Sequence, residues 1–179
     1  MARPRLAVPA ETPPWLPRKI PPSHTMPTPA LDTIDTLRLV EHLHGHLGWL
    51  AAISLVHPAI LLRNRKRRAH LAVALSLILV TVVFGVGCFM YDPYRDKVKQ
   101  QIFLHAPRIG FLFERKEHLA FGVLVLAWGG AIAYAAARTA DGTIQESLRT
   151  FAFRAFALAA VLALATAALG TIVASYRTF

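Results

Sequence analysis

Histidines are the residues of this sequence best suited to chemistry, because imidazole titrates near neutral pH and binds metal ions and haem iron. The chain has eight histidines, and seven of them lie in or beside long apolar runs. These seven are His42, His44, His46, His57, His70, His105 and His118. Acidic and basic residues occur only at the ends of these runs, and a titratable group at membrane depth indicates a functional site by default.

The spacing of the histidines predicts where a cofactor would bind. His46 and His57 are eleven residues apart, which places them within about 20° of one helix face and about 16 Å apart along it. His118 begins a later apolar run at the same predicted membrane surface as His46. Imidazoles on diagonal helices suit the two axial positions of a haem. We therefore predict a haem b site at His46 and His118, with His42 or His44 as substitutes for His46.

Two further arrangements of the same histidines are open. His57 and His70 form a second candidate haem pair, although their predicted depths differ by about 7 Å. A metal ion is the alternative cofactor, and it would require a break in the helix near Gly45. Its candidate ligands are His42, His44, His46, His118 and Glu117. A chain without a cofactor, in which the histidines are polar residues bonded to backbone carbonyls, is the third interpretation.

Basic residues border the first of these sites. Arginine forks match the carboxylates of haem propionates, and basic residues near span ends also face lipid headgroups. The residues concerned are Arg95, Arg108, Arg115 and Lys116. The single cysteine, Cys88, excludes an internal disulfide and a Cys-x-x-Cys-His attachment, so any haem would be held by coordination alone.

The elements that must position these residues are transmembrane helices. Hydrophobic residues make up 55% of the 179 residues and charged residues 17%, against about 25% charged in a soluble domain. The sequence predicts an all-α transmembrane four-helix bundle of two helical hairpins over residues 32–179, with a disordered Pro-rich tail over residues 1–31. The predicted spans are residues 43–62, 69–90, 118–137 and 153–176.

The segments between the spans carry their own predictions. Residues 94–117 alternate between polar and apolar and are expected to lie along the headgroups. A polar connector is predicted over residues 138–149. The fourth span has a small residue every four positions, which predicts close helix packing. Those residues are Ala155, Ala159, Ala163 and Ala167.

Charge predicts the orientation. The net charge is +10, and residues 63–68 hold five basic residues in six positions. Basic residues between apolar runs favour membrane orientation over nucleic-acid binding. We expect the 63–68 turn on the cytoplasmic side of a bacterial inner membrane, with both termini outside.

The arrangement of His46, His57, His70 and His118 resembles that of the small four-helix transmembrane b-type cytochromes. That resemblance implies haem b, electron transfer and a quinone or redox protein as partner. The stretches YDPYRDKVKQQ and LFERKEHLAFG also resemble uncharacterised bacterial four-span membrane proteins, which implies no activity.

Two functions follow as hypotheses. The first is a haem b-binding electron-transfer subunit. The alternative is a non-catalytic membrane subunit, or a homo-oligomer, that binds a partner complex through residues 94–117. Transport is disfavoured because no carboxylate lies within a predicted span, and no hydrolase or P-loop motif occurs.

Overall fold

The computed structural model describes residues 30–64 and 69–176, which form four long helices packed as a bundle. Each long helix exceeds the roughly 20 residues that cross a bilayer and is apolar enough to do so. The long helices are α1 (Ala30–Arg63), α2 (His70–Tyr94), α4 (Pro107–Ala136) and α5 (Gly142–Ser175), and a π-helical turn (Arg95–Lys99) and the short helix α3 (Gln100–His105) join α2 to α4. The predicted all-α four-helix bundle is confirmed.

The four long helices pack in a ring. Helix α1 contacts α2 and α5, and α4 contacts the same two helices, so α1 and α4 lie diagonally. We call the end of the bundle where Arg63 closes α1 the basic end, and the opposite end the Lys99 end. His46 and His118 therefore belong to diagonal helices, as the sequence predicts.

Small residues bring α4 and α5 into close contact. Ala155, Ala159 and Ala163 are buried against the neighbouring helices. A Cβ added at Gly130 of α4 would lie 3.1 Å from ring atoms of Phe156 and 3.2 Å from the Cβ of Ala155. The close packing predicted from the alanine spacing is therefore confirmed.

A serine of α2 donates the hydrogen bond that one backbone carbonyl of α1 lacks. Pro58 lacks an amide hydrogen, so the carbonyl of Ser54 has no donor within its own helix. The hydroxyl of Ser76 donates to that carbonyl at 2.8 Å. An unbonded carbonyl is costly in lipid, so this bond stabilises the pairing of α1 with α2.

Several boundaries differ from the prediction. Residues 107–117, predicted to lie along the headgroups, are the first turns of α4, and Pro107 occupies the first helical turn, where its missing amide costs nothing. Helix α5 already begins at Gly142, whose φ of 56° suits glycine, so only a short connector remains before it. The predicted tail lies outside the described residues except for Ala30 and Leu31, which begin α1.

We predict that Gly130→Ala destabilises the bundle. Phe156 is fully buried and cannot move aside, and such overpacking costs about 1–3 kcal/mol. The better helix propensity of alanine offsets about 1 kcal/mol of that cost. Unfolding in detergent micelles, followed by circular dichroism during titration with sodium dodecyl sulfate, measures the change.

The neighbouring glycine provides the matched control. A Cβ at Gly129 meets no atom within 4 Å, so Gly129→Ala should be neutral or slightly stabilising. Equal stabilities of the Gly129→Ala and Gly130→Ala variants would contradict the close approach of α4 to α5.

Candidate functional site

The two histidines in the apolar part of α1 face outward. His46 and His57 are both exposed. His57 is two residues from the fully buried Leu55, about 200° around the helix, and His46 is five residues from the buried Ala51, about 140° around it. The predicted common face of His46 and His57 is confirmed, and it is the outer face of the bundle.

His118 also faces outward, from α4. It is exposed and lies five residues from both Phe113 and Val123, which are buried, or about 140° around the helix from each. Its Nδ1 lies 2.8 Å from the carbonyl oxygen of Glu114 and donates to it, because a carbonyl only accepts. The imidazole of His118 is thus held by its own helix.

The predicted haem residues do not converge within one chain. His70 is exposed as well, so all four candidate ligands lie on the outside of the bundle. The outer faces of two diagonal helices enclose no common space. His46 and His118 therefore do not fit a haem held inside a single bundle, and a haem bound by these residues would need ligands from a neighbouring chain.

The predicted metal ligands are not brought together either. Over residues 30–64 and 69–176, no three His, Cys, Asp or Glu side chains are placed to hold a metal ion. Helix α1 continues through Gly45, so the helix break that this site required does not occur. His42 and His46 are exposed, whereas His44 is half-buried.

Among the histidines that the structure describes, His44 points into the bundle. Its Cε1 lies 3.2 Å from the position that a Cβ on Gly87 of α2 would take, so the glycine makes room for the imidazole. Its Nδ1 is buried and has no hydrogen-bond partner in the part of the chain that the structure describes.

Lys116 turns toward the bundle instead of toward the headgroups. Its Cδ lies 3.7 Å from the position of a Cβ on Gly170 of α5, and its ammonium lies 4.7 Å from the centre of the Phe113 ring. The negative face of an aromatic ring attracts a cation at this distance. Lys116 therefore differs from Arg108 and Arg115, which are exposed.

Lys99 ties the connecting segment to α4. Its Nζ lies 3.3 Å from a carboxylate oxygen of Glu114 and 3.6 Å from one of Glu117, and the side chain is only 15% exposed. The same ammonium lies 5.5 Å from the centre of the Phe113 ring, which the ammonium of Lys116 also approaches. We call Lys99, Phe113, Glu114, Lys116 and Glu117 the Lys99 cluster.

The charges around Lys99 favour its protonated form. Burial acts to lower the pKa of Lys99, but Glu117 and the hydrogen bond to Glu114 outweigh burial, so the pKa is raised above its usual 10.5. A lysine that stays charged near neutral pH between two carboxylates suits a structural clamp better than proton transfer.

The spacing of two glutamates in the sequence points to this cluster, but both residues lie outside the predicted spans. Glu114 and Glu117 are three residues apart, a spacing that places both side chains on one face of a helix. The prediction that residues 94–117 lie along the headgroups did not use this spacing. Once Pro107 is taken as the start of α4, Glu114 and Glu117 fall on one face of that helix.

The long helices establish the class of protein. Four of them are long and apolar enough to cross a membrane, and many of their large apolar side chains are exposed on the outside of the bundle. The chain is a multi-pass membrane protein. Comparisons with protein-family models, curated proteins and solved structures returned no match, so the resemblance extends only to the four-span pattern.

We predict that Lys99→Met lowers thermal stability at neutral pH, because Glu114 and Glu117 lose their counterion. The raised pKa means that the contribution of Lys99 is present below about pH 10.5, its unfolded-state pKa, and is lost as the pH rises through the folded-state pKa. The stability difference from wild type should therefore shrink above about pH 10.5. Thermal unfolding at several pH values measures it.

The exposed pair of Arg95 and Asp96, whose Nε and Oδ1 atoms are 3.5 Å apart, provides the control. Exposed ion pairs contribute about 0–1 kcal/mol, so Arg95→Gln should change stability little at any pH. A stability loss in Lys99→Met that persists unchanged at alkaline pH would contradict an electrostatic role for Lys99.

Proposed function

We propose that this protein is a non-catalytic subunit of a membrane assembly, in which the outer face of α1 packs against a second copy of the chain. The observation that carries the proposal is the exposure of His46 and His57 among lipid-facing apolar residues. Ionisable residues in transmembrane helices almost always face protein or water, so two outward histidines on one face indicate a covered surface.

The outer face of α1 has the spacing of a helix-packing seam. Its exposed residues follow one another at alternating steps of four and three, which is the heptad pattern of left-handed helix pairs. Its apolar members are between 50% and 60% exposed. We call this set the α1 stripe: Leu39, Leu43, His46, Leu50, Ile53, His57 and Ile60.

The two histidines place polar groups at two different depths along the stripe. At 1.5 Å per residue, His57 lies about 9 Å and His46 about 26 Å from Arg63 along α1. Lipid acyl chains offer an imidazole no hydrogen bond, so His57, which lies well inside the apolar run, is costly on a lipid-facing surface, whereas His46 lies nearer the opposite membrane surface. A protein partner with a polar group at each of these depths would remove that cost.

A second copy of the chain supplies such groups by symmetry. In a pair related by a two-fold axis along the membrane normal, the two α1 helices run parallel, so each residue of the stripe lies at the depth of its own counterpart. A neutral imidazole has one donor and one acceptor, so two histidines complement each other. The basic ends of the two copies would repel, and salt weakens this repulsion with a screening length of about 10 Å at 0.1 M.

The segment predicted to bind a partner is largely used within the chain itself. Ile102, Ile109 and Phe113 form a buried cluster with Val173 of α5. Removing residues 94–117 would therefore remove the start of α4 as well as the connection. This is the reason for placing the contact on the α1 stripe instead.

Disulfide cross-linking tests the assembly. In a Cys88→Ala background, which removes the single and exposed native cysteine, Ile53→Cys should form a linked dimer when membranes are oxidised. Ile53 lies in the middle of the stripe, and a disulfide needs Cβ atoms about 3.5–4.5 Å apart. Non-reducing gel electrophoresis measures the dimer.

Ile78 provides a matched control on α2. Its exposure is 59%, against 60% for Ile53, and it lies about 12 Å from the start of α2, close to the roughly 15 Å between Ile53 and Arg63. Ile78→Cys should stay monomeric, and changing His46 and His57 to leucine should weaken the Ile53→Cys dimer. Equal cross-linking from Ile53→Cys and Ile78→Cys would exclude the α1 stripe as the contact.

Haem-mediated electron transfer is the second candidate function, and the outward imidazoles favour it. Histidines from two chains would supply the axial ligands of a b-type haem, with a quinone or redox protein as partner. Closely packed helices are about 8–10 Å apart and leave no room for a porphyrin, so haem binding and the Ile53→Cys disulfide are alternative outcomes.

An absorbance spectrum decides between the two functions. We expect protein purified from haem-replete cells to be colourless if the stripe packs directly. A Soret band that is abolished by His46→Leu, together with no cross-link at Ile53→Cys, would instead establish haem binding. A Soret band that survives both His46→Leu and His57→Leu would exclude the α1 stripe as the haem site.

A further inference from the structure

A small cavity opens at the basic end of the bundle between α1 and α5. Its volume is about 160 Å³, below the roughly 300–1,000 Å³ of a pocket that encloses a whole small-molecule ligand. Six residues line it: Leu62, Arg63, Glu146, Arg149, Thr150 and Phe153. This cavity is separate from the α1 stripe and the Lys99 cluster.

The polar lining suits a phosphate group. Arg63 comes from α1 and Arg149 from α5, and guanidinium forks bind phosphate oxygens with two parallel hydrogen bonds. The hydroxyl of Thr150 is a further donor. Glu146 also lines the cavity and is itself engaged in an interaction within the fold. The two arginines and this glutamate give the lining a net charge of one positive unit, which matches the single negative charge of a phosphodiester.

The apolar lining continues the cavity toward the membrane. Leu62 precedes Arg63 on the membrane side, and Phe153 lies one helical turn, about 6 Å, deeper than Arg149. The cavity thus changes from charged to apolar in the direction of the acyl chains. A phospholipid changes in the same order from its headgroup to its tails, whereas free phosphate has no apolar part.

We propose that the cavity between α1 and α5 binds the headgroup phosphate of an anionic phospholipid, whose acyl chains remain in the bilayer. Arg63 and Arg149 hold the phosphate oxygens from two helices, and Thr150 donates a further hydrogen bond. Four basic residues follow Arg63 closely in the sequence, at positions 65–68, and add to the attraction for anionic lipid. The lipid would clamp α1 to α5.

Lipid binding to the detergent-purified full chain tests the proposal. Native mass spectrometry counts retained lipid during titration with dioleoylphosphatidylglycerol, with dioleoylphosphatidylcholine or inorganic phosphate in parallel. We expect one phosphatidylglycerol per chain, and about a tenfold or greater loss of affinity in Arg149→Gln, since a bond to a charged group is removed. Arg149→Lys, which keeps the charge without the fork, should retain part of the affinity.

Arg154 provides the control. It is an exposed arginine of the same helix that does not line the cavity, so Arg154→Gln should bind phosphatidylglycerol like wild type. Equal losses of phosphatidylglycerol affinity in Arg149→Gln and Arg154→Gln would show that the lipid is held by general electrostatic attraction, and would overturn the site. Equal affinity for phosphatidylcholine or for inorganic phosphate would overturn its assignment to anionic lipid. If Arg149→Gln does not fold, Thr150→Val makes the same test.

Discussion

Lipid cannot hydrogen-bond to a peptide group, and this constraint determines how α1 and α2 meet. Pro58 leaves the carbonyl of Ser54 without a helical donor, and the hydroxyl of Ser76 satisfies it from α2. That bond sets the relative height of the two helices. Gly87 lies about 17 Å above Ser76, and His44 about 15 Å above Ser54, so the glycine arrives opposite the imidazole.

The same constraint confines charge to the two ends of the bundle. At the Lys99 end, Glu114 and Glu117 of α4 hold Lys99 and fold the connecting segment back onto the bundle. At the basic end, Arg63 and Arg149 line a cavity at the edge of α1 and α5. Between the ends, contact depends on small residues such as Gly130 and Ala155, which let helices approach without a hydrophobic driving force.

The histidines mark the limit of what periodicity can reveal. A separation of eleven residues places His46 and His57 on one face of any straight helix, and the structure confirms that relation. In a soluble protein, the polar side of a helix would be the outer one. In a membrane both sides of α1 are apolar, so the pattern does not tell the inner face from the outer one, and neighbouring helices decide it.

The amino-acid sequence by itself determined the number of spans, the all-α fold and the close packing along the alanines of α5, because hydropathy and residue size act locally along each helix. It did not reveal that residues 107–117 begin α4, that Ser76 donates a hydrogen bond to α1, or that Lys99 and Lys116 both lie near the Phe113 ring. These features join residues far apart in the chain. Only the packing of one helix against another decides which side chain meets a free carbonyl, which glycine admits an imidazole, and which histidines are left facing outward.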